Sequence, residues 1–133
     1  AEMLYEYRSN DAQCMMKMRE KLETILRENA LPDAKVTLKL LGERPCGTAG
    51  DPAAQRALET LCIAALERYV GGRKSIGIGS TDCNIPLSMG IPSACFGMYR
   101  GGGAHTREEW MEPSSLCAGM KAAACVLLNW FKP

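Results

Sequence analysis

A chain of 133 residues with 47% apolar composition is long enough to bury one ordinary core, which accommodates one domain or two small pieces of domains. Lys and Arg number 16 against 15 Asp and Glu, a formal charge of +1, and the basic residues are dispersed rather than gathered in a stripe, which argues against a nucleic-acid partner. No apolar run approaches the roughly 18 to 20 residues of a membrane span. Glu2-Met3-Leu4-Tyr5-Glu6 also lacks the basic and apolar segments of an export signal, so the expectation is a soluble, cytoplasmic protein with no membrane partner.

The 7 cysteines are odd in number, and no two sit at zinc-knuckle spacing. Several fall on apolar helix faces, which favours reduced, buried thiols in a reducing compartment over a disulfide framework. Cys83 differs in lying within a polar loop.

In chain order, residues 3–8 set Leu4 and Glu6 against Tyr5 and Tyr7 in a β-favouring alternation that predicts a strand. Asn10 followed by Gln13 has the form of a capping box. Met15, Met18, Leu22, Ile25 and Leu26 then recur at helical steps to about Asn29, and Leu31-Pro32-Asp33 stops the helix. Residues 36–41 predict a second strand. Such a strand-helix-strand unit leaves one sheet face to be covered. Residues 42–50, with Pro45 between glycines, mark a domain boundary or crossover.

Asp51-Pro52 reads as a cap and first-turn proline. Leu58, Leu61, Cys62, Ala65, Leu66 and Tyr69 form the buried stripe of the helix that follows, and Gly71-Gly72 ends it. Residues 75–79 predict a short strand, 85–89 a helical turn, 91–99 a buried apolar strand, and 108–113 a connector. Ser114 or Ser115 caps a last helix with Leu116, Met120, Ala123, Ala124, Leu127 and Phe131 on one side, while Ala118, Gly119, Ala122 and Ala123 permit close approach to a sheet. The overall order argues an α/β fold.

Two consecutive predicted strands discharge into glycine-containing polar loops, the place where open α/β sheets bind ligands, so both loops can line one pocket. In the first loop, Ser80, Thr81 and Asn84 offer donors suited to a carboxylate or oxyanion. Gly77-Ile78-Gly79-Ser80-Thr81-Asp82 alone is equally a tight turn in which Asp82 caps the next helical turn. In the second loop stands His105, the chain's single histidine, behind three glycines and before the polar run Thr106-Arg107-Glu108-Glu109. That setting argues against a core position and suits a general base or a neutral metal ligand. A metal site needs further His, Asp or Glu ligands, and no second histidine is present.

Taken together, Gly79-Ser80-Thr81-Asp82-Cys83-Asn84-Ile85-Pro86, then Gly90-Ile91-Pro92, then Gly102-Gly103-Ala104-His105-Thr106 with Glu109-Trp110, resemble the C-terminal portion of the dizinc aminoacylase and carboxypeptidase G family. This family, the twentieth of the metallopeptidases, also holds acetylornithine deacetylase, succinyl-diaminopimelate desuccinylase and tripeptide aminopeptidase. The resemblance runs over nearly the whole chain. It implies that residues 1–43 are the second half of a ferredoxin-like lid, or dimerisation, domain, and that residues 44–133 are the C-terminal part of an α/β zinc-binding catalytic domain.

By the same resemblance, His105 matches a ligand of one of two zinc ions. Gly79, Ser80, Thr81, Asp82 and Asn84 lie in the loop that holds the substrate's carboxylate or amide end. Arg44 matches an arginine that grips a substrate carboxylate, a task suited to its planar fork, and Arg8 is a lesser candidate for substrate binding. The family's other zinc ligands, and the Glu that acts as its general base, have no counterpart in this sequence. The expectation is therefore the C-terminal portion of a zinc-dependent exopeptidase or amidohydrolase that cleaves a peptide or N-acyl amino acid, homodimeric through its lid. The chain alone should be inactive, with no catalytic base of its own. The alternatives are a dimerisation or binding module with an exposed strand edge, and an α/β domain that binds phosphate at residues 79–84 without hydrolase activity.

Overall fold

The computed structural model describes residues 1–33 and 35–131. Ala34 and the last two residues, which fall within the expected domain spans, lie outside the described residues.

Helix α1 spans Ala12–Glu28. Its cap is Asp11, one residue later than the expected Asn10. The Asp11 carboxylate accepts the Gln13 N–H at 2.8 Å and the Cys14 N–H at 3.4 Å, satisfying two first-turn donors that have no intrahelical acceptor. Met15, Leu22 and Leu26 of the apolar stripe are half-buried, whereas Ile25 is exposed. At the C-terminal end of α1, Leu26, Arg27 and Ala30 face Val36 and Leu38 across an open cavity of about 310 Å³.

Helix α2, Pro52–Tyr69, begins as the sequence predicts: Asp51 accepts from Ala53 N–H at 2.8 Å and Ala54 N–H at 3.1 Å, and Pro52 occupies the first turn, where a missing N–H costs nothing. Its predicted stripe is the one that packs. Cys62 and Ala65 are buried, with Leu58, Leu61, Leu66 and Tyr69 against them. Burial and then the nearby Glu59 charge push the Cys62 thiol up from its ordinary value. All seven cysteines are free thiols, but Cys62 alone is buried; Cys14, Cys95 and Cys117 are exposed, contrary to the expectation of buried thiols.

The partner of α2 is helix α4, Leu116–Trp130, which follows a 3-10 turn at Pro113–Ser115. The buried face of α4 is Gly119, Ala122 and Val126, with Ala123 and Cys125 half-buried. The expected stripe through Met120, Leu127 and Phe131 is exposed, at 61%, 61% and 77%. The true face lies one residue, about 100°, around the axis from the expected one. The reason is close approach: an added Cβ on Gly119 would collide with the main chain of Met98, so the larger side chains must turn outward. Ala94 and Phe96 complete the core beneath the two helices.

Four segments predicted as strands, 3–8, 36–41, 75–79 and 91–99, form no ladder with one another among the described residues. A strand needs a neighbouring strand to take its N–H and C=O groups along its length, and among the described residues no strand lies alongside these stretches. Apolar side chains of 36–41 and 75–79 remain outside, Leu40 at 68% and Ile78 at 84%, whereas Ala94 and Phe96 of 91–99 pack against the core. The sheet that does form is a hairpin of β1, Arg100–Gly102, and β2, Trp110–Glu112, antiparallel in the register Arg100 to Glu112 and Gly102 to Trp110. The predicted connector at 108–113 therefore contains a strand. The short α3, Asn84–Ser88, sits where a helical turn was expected. Among the described residues no helix is long and apolar enough to cross a membrane.

Candidate functional site

Two loops hold the candidate residues, and each is anchored to a different part of the structure. The segment leading to His105 is fastened first. The Gln55 side chain on α2 accepts the Ser93 N–H at 2.9 Å and donates to the Ser93 carbonyl at 3.0 Å, pairing with the main chain as a neighbouring strand would. At the far end of this segment Arg100 N–H donates to Ser115 Oγ at 2.8 Å, and the Ser115 hydroxyl donates to the Glu112 carbonyl at 2.6 Å. Ser115 thus joins both strands of the hairpin to the start of α4. Sequence reasoning assigned it only a possible cap, and its side chain does not cap α4.

His105 sits at the hairpin tip. The Thr106 N–H and the Thr106 hydroxyl both donate to the Gly103 carbonyl, at 2.9 and 2.6 Å, closing a four-residue turn with His105 in its third position. His105 has φ 66°, the single positive value at a non-glycine among the described residues. This is the pattern of a type II turn, whose third position ordinarily takes glycine because a Cβ there is disfavoured by about 1 to 2 kcal/mol. Gly103, at φ 67°, precedes it, and an added Cβ would come within 2.9 Å of the Glu108 carbonyl oxygen. The main-chain N–H of His105 donates to Glu109 Oε2 at 3.2 Å. Among the described residues the imidazole itself has no hydrogen bond and is exposed, its nitrogens open to a ligand.

The second loop is built around Arg44. Residues 42–50 cross onto α3, where Gly50 N–H donates to the Gly90 carbonyl at 2.7 Å and Gly47 lies over the Ser88 main chain. This docking delivers Arg44 to the predicted substrate loop. Its guanidinium donates to Ser80 Oγ at 3.1 Å and pairs with Asp82 Oδ1 at 3.4 Å. Thr81 and Asn84 serve the turn itself: Asn84 Oδ1 accepts the Thr81 N–H at 3.0 Å and Thr81 Oγ1 accepts the Cys83 N–H at 3.3 Å. Gly79 has open space around its main chain, with Thr81 Cγ2 the nearest atom to an added Cβ at 3.9 Å.

Arg8 stands apart from these residues, its guanidinium held by Glu6 at 2.9 Å on the surface. No hydrogen bond or ion pair among the described residues joins His105 to Arg44 or to residues 79–84. Neither the cavity beside α1 nor a second one, about 230 Å³ between Tyr69 and Arg100, is lined by them. Among the described residues no three His, Cys, Asp or Glu side chains are grouped so as to hold a metal ion. An open imidazole fits one ligand position, and the described residues do not complete the set.

The anion-binding alternative draws little from α3, since a helix of five residues sums few peptide dipoles. Comparison of the chain with family models, curated proteins and solved structures gives no match.

Proposed function

We propose that this chain is the C-terminal portion of a zinc-dependent exopeptidase or amidohydrolase of the dizinc aminoacylase type, acting on a peptide or N-acyl amino acid in the cytoplasm. The observation that carries the reading is His105. A histidine occupies the one turn position where glycine would be cheapest, and its imidazole is left open. Turn formation does not call for that side chain, so its presence there points to a ligand. In this reading His105 contributes one zinc ligand and the rest come from residues other than those described. The chemistry zinc supplies in such a hydrolase is activation of water toward an amide carbonyl.

The chain's own residues bind and orient. Arg44 grips the substrate carboxylate through its fork, and Ser80, whose oxygen accepts from Arg44, keeps its own hydroxyl proton to donate beside it. The resting Arg44–Asp82 pair suits this role. It is long, Asp82 is 97% exposed, and an exposed pair of this kind is worth under about 1 kcal/mol, so an incoming carboxylate can replace Asp82. Homodimerisation through residues 1–43 is part of the proposal, supported by the exposed apolar Val36, Leu38, Leu40 and Leu41, in a segment that forms no ladder among the described residues.

The test is metal content. In the hydrolase that contains this chain, His105→Ala should remove at least half of the bound zinc, measured by elemental analysis after dialysis, with the helical circular dichroism unchanged. Full zinc occupancy in that variant would refute the assignment.

A further inference from the structure

The His105 turn poses a physical question that the zinc reading does not answer. Something must hold a Cβ-bearing residue at φ 66° against its preference for negative φ. The two bonds from Thr106 to the Gly103 carbonyl close the turn, but they would be made equally well with glycine at position 105. Among the described residues, the hydrogen bond that ties His105 to a residue outside the turn is the one from its main-chain N–H to Glu109 Oε2. Glu109 is itself held at the end of the loop, where its N–H meets the Thr106 carbonyl at 3.4 Å and the next residue, Trp110, is locked into β2 opposite Gly102.

We propose that Glu109 is a positioning residue for His105: its carboxylate holds the His105 main chain in the left-handed region and thereby fixes the direction in which the imidazole leaves the hairpin. The acceptor is a carboxylate, and at 3.2 Å on the surface the bond is a long one. A carboxylate reaching back four residues from the start of β2 ties the turn to the ladder, so the tip cannot rotate independently of the hairpin. Glu108 cannot substitute. Its carbonyl faces Gly103 across the loop, and its side chain makes no bond among the described residues.

The importance of this role for metal binding rests on the reading of His105 as a ligand, but the positioning itself is tested without metal. In the 133-residue chain, amide hydrogen exchange and backbone chemical shifts report on His105 directly. Glu109→Ala should speed exchange at the His105 amide about tenfold and shift its φ toward negative values, while the amides of residues 100–102 and 110–112 keep their protection. Glu109→Gln, whose amide oxygen can still accept, should restore most of the protection. Unchanged exchange and φ at His105 in Glu109→Ala would overturn the proposal. So would loss of protection throughout residues 100–112 in both variants, because Glu109 would then support the hairpin as a whole. In the complete hydrolase, zinc affinity should fall about tenfold in Glu109→Ala and recover in Glu109→Gln. If His105→Ala leaves zinc unchanged, the ligand reading fails while the exchange result still decides the role of Glu109.

Discussion

At the scale of single residues, Arg44 shows how a weak interaction can be informative. Its guanidinium is half-exposed and held by one hydroxyl and one distant carboxylate, an arrangement that adds little stability yet keeps the fork aimed at the Ser80 loop. In the proposed hydrolase, Arg44→Ala should raise KM for a carboxylate-bearing substrate about tenfold to a hundredfold, the cost of one charged hydrogen-bonding partner, with zinc content intact. Zinc loss parallel to the KM change would count against a substrate role. Ser80 and Asp82 were legible as parts of a polar loop among glycines and Arg44 only through the family resemblance; the structure brings these three together. Thr81 and Asn84 were legible as polar but not as turn builders. Glu109 was legible as part of the Glu109-Trp110 pair in the resemblance but not as a partner of His105, since nothing in the residue string reveals that position 105 is left-handed.

At the scale of elements, the helices follow local rules closely. Asp11 and Asp51 cap α1 and α2, and each accepts two first-turn N–H groups. The bonds from Gln13 and then Cys14 hold the Asp11 carboxyl below its ordinary value of 3.8. A lowered carboxyl contributes fully above that ordinary value and loses its contribution as pH falls through the folded value. Far-ultraviolet circular dichroism should therefore show α1 losing helicity reversibly in acid below about pH 3.8. Asp11→Asn, which caps without a titrating group, should flatten that loss. An acid transition identical in the two proteins would place the titrating group elsewhere. The face of α4 was misread for an equally physical reason: its sequence offers two apolar stripes, one large and one small, and close contact with the Met98 main chain selects the small one.

At the scale of the whole molecule, the core among the described residues lies in α2, α4 and the segment beneath them, while α1 and the segments at 36–41 and 75–79 keep apolar side chains in solvent. The described residues supply one open imidazole and no grouped ligands. The chain by itself should accordingly neither retain zinc through dialysis nor hydrolyse dipeptides. Retention of stoichiometric zinc together with dipeptide cleavage by the 133-residue chain would sink the proposed division of the site.

The sequence by itself determined the three long helices, the cap of α2, the buried stripe of α2 and the polar loops at residues 79–84 and 102–109. These depend on hydrogen bonds and spacings that span only a few residues. Tertiary structure alone decided which face of α4 is buried, that β1 and β2 rather than the four longer apolar segments form the ladder, and that Arg44 reaches Ser80 from 36 positions away. It also decided that His105 stands in a left-handed turn with Glu109 behind it. A helix finds its hydrogen-bond partners four residues away along its own chain, whereas a strand, a buried face and a converging site each take theirs from whatever the fold brings alongside.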